Sequence, residues 1–440
     1  MIYFCNMKNK ILISLISILL FSSITIYAES FVRYRVSGMG GMILKGSVVD
    51  KYNTGHPLGV DIGFEFQPTG KWQSLQQWNN ASVGLGLSYL NLGNNEMFGN
   101  AIAPYGYLNI PFVSLKHFVF GIRPGFGLAF VDKTYYNTVD PAIMYNPKQG
   151  PLKQANGAIG SHTNAYFAEA LYMEFPIKNG WSIVASYGWY HISNGSIRQP
   201  NSGYNMFNGQ LGVSYMPHSD SYETPAPERN RGMYGLDNMK DKNPNLRPWS
   251  FTLAATGGMR QAYYADNKNG ERFFGIATLA AAFHYRFVDI FQLGIGIDGF
   301  YDGWYRQMIA NGDDATKTTS FVKTYIPSKQ TRNSFRVGLS LQPEFVVGNF
   351  SAAFHFGIYL FDPIKNLEPY NAVVANGGTP LNRGLIYPYN LADAGVSQDG
   401  WLYTRIVTRY MVTPHLFVQL DMKSHLMKAE FISAGLGVKL

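Results

Sequence analysis

Leu58-Gly59-Val60-Asp61-Ile62-Gly63-Phe64-Glu65-Phe66-Gln67 decides the fold. In an extended chain, successive side chains point to opposite faces. Leu58, Val60, Ile62, Phe64 and Phe66 therefore make one uniformly apolar face. Gly59, Asp61, Gly63, Glu65 and Gln67 make the other, which is small, polar or charged. The same period of two recurs along the chain. From 118 to 130, Phe118, Phe120, Ile122, Phe126 and Leu128 alternate with Val119, Gly121, Arg123, Gly125 and Gly127. From 291 to 297, Phe291, Leu293, Ile295 and Ile297 alternate with Gln292, Gly294 and Gly296, and 335–342 and 432–440 behave alike. In a water-soluble sandwich the apolar faces turn inward to a core. So many strands with one strongly apolar and one Gly/polar face fit an antiparallel barrel instead, apolar toward lipid and polar toward the lumen.

Composition agrees. Of 440 residues, 15% are charged and 15% aromatic, with 30 Tyr, 30 Phe and 46 Gly. Disorder needs the opposite balance, high charge with little hydrophobicity. Beyond residue 28 no apolar run reaches the roughly 18–20 residues of a spanning helix, so a helical bundle is excluded. The first 28 residues read as a signal peptide: Lys8 and Lys10 form a basic start, 11–26 an apolar stretch, and Ile26-Tyr27-Ala28 a cleavage site. The only cysteine, Cys5, lies within it and is misplaced for a lipoprotein signal. The mature chain thus has no thiol for disulfides, zinc thiolates or nucleophilic catalysis. The net charge of +8 contains no basic cluster, which argues against nucleic-acid binding. It suits a surface facing phosphorylated lipid.

Eight strands are expected before residue 217, near 32–45, 57–67, 80–90, 98–112, 117–132, 163–176, 181–193 and 206–216. Eight more are expected near 249–264, 272–288, 290–305, 333–346, 349–361, 400–412, 415–424 and 429–440. Short turns (Lys178-Asn179-Gly180, Val347-Gly348, Thr413-Pro414) alternate with long loops (132–161, 306–332, 362–400). Outer-membrane barrels show this asymmetry, with short turns on the periplasmic side. The polar, Pro-containing stretch 218–247 is too long for a periplasmic turn within one barrel. The reading is therefore all-β: an eight-stranded outer-membrane barrel at 29–217, a linker at 218–247 and a second, non-catalytic eight-stranded barrel at 248–440. One sixteen-stranded barrel is the alternative. Lumenal Arg33, Arg35, Asp61, Glu65 and Arg123 are expected to pair in the first barrel, and Arg405, Arg409, Asp421 and Lys423 in the second.

One segment carries chemistry: Tyr190-His191-Ile192-Ser193-Asn194-Gly195-Ser196-Ile197-Arg198-Gln199-Pro200-Asn201-Ser202-Gly203-Tyr204-Asn205. Ile183, Ala185, Tyr187 and Trp189 are the bulky face of the seventh strand, and continuing the alternation puts His191 and Ser193 on that lipid-facing side. Counted from a periplasmic start, this strand ends at the extracellular rim. Residues i and i+2 of a strand share a face roughly 6.5–7 Å apart. An imidazole there reaches the hydroxyl and serves as its general base. Asn194 and the Gly195 N–H are placed to hold a developing oxyanion. Glycine-spaced runs such as Gly84-Leu85-Gly86 and Gly125-Phe126-Gly127 follow strand alternation and are not phosphate loops. The remaining histidines show no metal-ligand spacing.

The segment resembles the outer-membrane lipid A 3-O-deacylases of the PagL type, the acyloxyacyl hydrolase family. These are eight-stranded barrels with a His-x-Ser-Asn motif followed by a basic, Pro-Asn-containing stretch, here Ile197-Arg198-Gln199-Pro200-Asn201. The resemblance implies His191 as base, Ser193 as nucleophile and Asn194 as oxyanion-hole residue. Its acidic member is a Glu twelve residues after the Ser, and that position here is Asn205. An asparagine orients a histidine without supplying charge. Glu169, on the outward face of strand six beside Trp189, is the alternative acid. Trp189 and Arg198 are expected to meet the acyl chains and the lipid A phosphates. The implied function is a lipid A deacylase, a serine esterase needing no cofactor, acting on lipopolysaccharide in the outer leaflet. The His-Ser-Asn pattern also resembles outer-membrane phospholipase A, which adds a calcium requirement and a homodimer. A porin-like or structural barrel with an accidental His-x-Ser is the non-enzymatic alternative. The second half has an echo, Lys423-Ser424-His425, but Met427 stands at i+2 and alternation turns His425 to the lumen.

Overall fold

The computed structural model describes residues 31–44, 55–67, 80–138, 156–198, 201, 203–219, 248–261, 273–288, 291–303, 330–362, 402–425 and 428–440. The expected leader, most of the connector 218–247 and most of the three long loops lie outside them.

Eight strands form the first sheet: β1 Val32–Ile43, β2 Leu58–Phe66, β3 Ser82–Asn91, β4 Asn100–Leu115, β5 Phe118–Val131, β6 Thr163–Pro176, β7 Trp181–Ser193 and β8 Tyr204–Tyr215. Eight more form the second: β9 Trp249–Gln261, β10 Phe273–Val288, β11 Phe291–Asp302, β12 Phe335–Val347, β13 Phe350–Phe361, β14 Leu402–Met411, β15 Leu416–His425 and β16 Lys428–Lys439. Each sheet closes on itself, β1 pairing β8 and β9 pairing β16, with all neighbours antiparallel. The molecule is two closed eight-stranded barrels, which sets aside the sixteen-stranded alternative. Among the described residues no helix is long and apolar enough to cross a membrane.

Burial follows the alternation read from the sequence. In β2 the Leu58, Val60, Ile62 and Phe64 side chains are exposed to the outside, while Asp61 and Glu65 are buried in the lumen. Closed sheets have no unpaired edge. The β6–β7 connection turns on Asn179 (φ 52°) and Gly180 (φ 79°), the left-handed pair that a tight hairpin with matching twist requires.

A small barrel must fill its interior with side chains, and here polar networks do much of it. In the first barrel Arg35 lies 2.7 Å from Asp61 and 3.5 Å from Glu65, and Arg123 lies 3.5 Å from Glu65. The Tyr105 and Tyr107 hydroxyls donate to Asp61 (2.8 Å) and Glu65 (3.2 Å). Gly84 and Gly86 leave room for those two rings, since a Cβ at either would overlap them. The expected lumenal set was incomplete. Arg33 pairs with Glu174, a β6 carboxylate outside that set. In the second barrel Arg405 bridges Asp298 (2.6 Å) and Asp421 (3.0 Å), Arg409 meets Glu344 (2.8 Å), and Lys423 meets Glu430. Asp298, Glu344 and Glu430, on β11, β12 and β16, are lumenal partners beyond the expected set.

Candidate active site

β7 carries the motif to one rim of the first barrel. Ser182, Val184, Ser186, Gly188, Tyr190 and Ile192 are buried in the lumen, while Trp181, Ile183 and Tyr187 are exposed on the outer surface. Trp189, His191 and Ser193 continue the outward parity. His191 is half-buried and Ser193 is only 2% exposed. The serine is therefore not laid open to lipid, as parity alone suggested. Its hydroxyl is sheltered and hydrogen-bonded, which removes most of the cost of a polar group at this level.

The hydrogen bonds form one chain. His191 Nε2 is 2.7 Å from Ser193 Oγ, and His191 Nδ1 is 2.7 Å from Asn205 Oδ1. Asn205 sits directly across the β7–β8 ladder from His191. The indole Nε1–H of Trp189 donates to the same Asn205 oxygen at 3.2 Å. An indole nitrogen only donates, so it is the amide oxygen, not the amide nitrogen, that faces this corner. His191 Nδ1 must then be the protonated ring nitrogen, and Nε2 is left to accept the Ser193 proton. A neutral amide thus sets the tautomer that a base next to serine requires.

Packing fixes the ring. Trp189 stacks on His191 with centroids 5.2 Å apart and planes at 18°, and Phe167 of β6 lies 6.0 Å away. On another side is Gly203, in the left-handed region at φ 78°; a Cβ there would lie 2.7 Å from His191 Cε1. Glycine serves both the backbone and the close approach. Glu169 is on the outward face of β6, as alternation requires, but it pairs with Trp189, while Phe167 is the residue opposite His191. The Nδ1 position is occupied by Asn205, and among the described residues Glu169 makes no hydrogen bond to the imidazole.

After Ser193 the chain makes a tight turn. Gly195 (φ 58°) and Ser196 (φ 66°) are both left-handed, and Ile197 N–H donates to Asn194 C=O at 3.1 Å. The Asn194 side chain braces it: its Nδ2 donates to Ser161 Oγ (2.8 Å) and to Arg198 C=O (2.9 Å). Asn194 N–H donates to Asn201 Oδ1 at 3.1 Å. Both amide hydrogens of Asn194 are thus engaged. The Gly195 N–H has no hydrogen-bond acceptor among the described residues. The Arg198 guanidinium lies 3.9 Å from the Tyr136 ring centroid, over the β5–β6 loop. Ser161, Asn201 and Gly203 were not picked out by sequence reasoning as site residues; only the Pro-Asn-x-Gly stretch hinted at two of them. Among the described residues no group of His, Cys, Asp or Glu is arranged to hold a metal ion.

Residues 58–214 match the family model described as Lipid A 3-O-deacylase (PagL). The first barrel belongs to the PagL lipid A 3-O-deacylase family. Residues 249–375, which span much of the second barrel, match the model described as the acyloxyacyl hydrolase C-terminal domain. The chain is thus an integral outer-membrane β-barrel protein and a hydrolase acting as a lipid A deacylase, with its substrate in that membrane. No curated protein matches it. Among solved structures it is similar to the crystal structure of the outer membrane enzyme PagL, at 17% identity over 42% of this chain and 99% of that one, with a TM-score of 0.25. Neisserial surface protein A (NspA) is similar at 11% identity over 43% of this chain and 96% of its own, with a TM-score of 0.25. The Yersinia pestis outer membrane protein Ail is similar at 11% identity, with 41% and 98% covered and a TM-score of 0.21.

Proposed function

We propose that the first barrel is a serine esterase that removes an ester-linked acyl chain from lipid A by way of His191 and Ser193. The observation that carries this is the single hydrogen-bonded line from Trp189 through Asn205 and His191 to Ser193. Ser193 Oγ attacks the acyl carbonyl carbon while His191 Nε2 takes its proton. The carbonyl oxygen becomes an oxyanion for which the Gly195 N–H is the proposed donor, on the turn that Asn194 braces. Collapse breaks the ester bond, and His191 returns the proton to the departing sugar hydroxyl. Water, deprotonated by the same imidazole, then cleaves the acyl-serine and releases the fatty acid.

The outward aromatic surface suits the acyl chains. Tyr187 and Phe207 stack 5.8 Å apart with planes at 8°, and Trp189 lies across the ladder from Phe207. Arg198 at the rim is the cation proposed to meet a lipid A phosphate, released for that role from Tyr136. Asn205 orients His191 but gives no countercharge to the imidazolium formed in each step, so a slower chemical step is expected than a carboxylate at the same place would allow. Mass spectrometry of lipid A from cells with and without the expressed chain tests the substrate. Loss of one acyl chain with free 3-hydroxy fatty acid is expected. Unchanged lipid A beside new lysophospholipid would replace this reading with a phospholipase.

A further inference from the structure

The turn that follows Ser193 does not end in solvent. It lies against the second barrel. Ser196 Oγ donates to the Ala429 carbonyl of β16 at 2.7 Å, and the Gln261 N–H at the end of β9 donates to both Ser196 C=O (3.2 Å) and Ile197 C=O (3.1 Å). A Cβ on Gly195 would overlap the Ile432 side chain of β16. Ser196 and Gln261 are 3% and 2% exposed. The two residues with left-handed backbone, which aim the Gly195 N–H, are therefore held from the other barrel.

β16 is irregular at this spot. Lys423 pairs with Phe431 but Ser424 pairs with Ala429, so Glu430 is the extra residue of a bulge. Without it, alternation from Phe431 and Ser433 would send Glu430 outward. Instead it is buried in the lumen with Arg336, Lys423 and His425 around it, the His425 Nε2 at 2.8 Å. A bulge re-aims the strand and leaves a ladder group unpaired. Beside the bulge the Ala429 carbonyl, together with Ile432 on the outward face, meets the catalytic turn of the first barrel.

From this we infer that the second barrel is a working part of the deacylase: the Glu430 bulge of β16, with Ile432 and Ala429, positions the Asn194–Ile197 turn that carries the oxyanion donor. Its residues touch no reacting atom and act through that turn. The inference rests on the proposed roles of Ser193 and Gly195. A mis-set donor weakens transition-state binding more than ground-state binding, so the signature lies in kcat.

The test uses the full chain in detergent or lipid vesicles, with Ile432→Ala, Ser196→Ala, the conservative Ile432→Val, and Leu436→Ala as a control on the same outward face of β16 (Leu436 is exposed). Heat-modifiable gel migration confirms that both barrels are folded. Two readouts are taken, lipid A turnover and the rate of Ser193 labelling by a fluorophosphonate. Ile432→Ala and Ser196→Ala are expected to lower kcat and labelling about 10- to 100-fold with KM little changed. Ile432→Val and Leu436→Ala should remain near the parent. Folded Ile432→Ala and Ser196→Ala variants with parental kcat and labelling would overturn the inference, as would a change confined to KM. Labelling that responds as expected in a parent chain inert on lipid A would uphold the inference and indict the substrate instead. A parent chain that is neither labelled nor active would overturn both.

Discussion

Each barrel carries a histidine at or near the end of its seventh strand, and the two histidines face opposite ways. His191 lies near the end of β7 on the outward face, with Ser193 two residues on and Asn205 across the ladder. His425 closes β15 on the inward face, buried, with Lys423 at 3.1 Å and Glu430 at 2.8 Å. One side chain becomes a candidate base because its free nitrogen accepts from a hydroxyl at the membrane side. The other is absorbed into a lumenal charge network and helps hold a bulge. In a barrel the choice rests on strand parity: a shift of one residue moves a side chain from lumen to lipid. In the second barrel Met427 stands where a serine would follow His425 at i+2, and its β16 meets the Asn194–Ile197 turn of the first barrel.

That contrast is open to direct attack. His191→Ala removes the base and should lower kcat by about a thousandfold or more, read as the rate of fatty acid release. Asn205→Leu keeps the volume but deletes the acceptor that sets the tautomer; a loss of about 10- to 100-fold in kcat is expected. Asn205→Glu sharpens the comparison from the other side, since a carboxylate stabilises the imidazolium, and kcat should rise above the parent's. Gly203→Ala strains a backbone at φ 78° and presses a methyl on His191 Cε1; roughly a tenfold fall in turnover follows from the displaced ring. Trp189→Phe retains the stack but frees the Asn205 amide to flip, and a fall of only a few-fold is expected. The smallest effect should come from Met427→Ser in a Ser193→Ala background. It writes His-x-Ser into the second barrel, but His425 faces the lumen, so release should stay at the level of Ser193→Ala alone. Activity regained there would break the parity argument.

Much of this was legible in the sequence because a barrel strand repeats every two residues. Leu58 to Phe66, Trp181 to Ser193 and Phe291 to Ile297 each announced both a strand and its lipid face. The outward parity of His191, Ser193 and Glu169 and the inward parity of His425 followed from counting. What stayed hidden depends on contacts between distant strands. Pairing of Arg33 with Glu174 needs the closed barrel. The orientation of the Asn205 amide needs Trp189 Nε1, which shares the outward face but has no sequence signature for that bond. Burial of Ser193 could not be read from alternation, which gives direction and not cover. Glu430 breaks the period of two through its bulge, so counting along β16 gives the wrong face for it. The rest of Gly195 and Ser196 on another barrel was beyond any local pattern.

The most direct measurement compares fatty acid release from purified lipid A by the parent chain and by Ser193→Ala, both shown to be folded. With Ser193 as the nucleophile, the parent releases 3-hydroxy fatty acid and Ser193→Ala releases none above the uncatalysed background. Undiminished release by Ser193→Ala would contradict the account and move the chemistry elsewhere on the molecule.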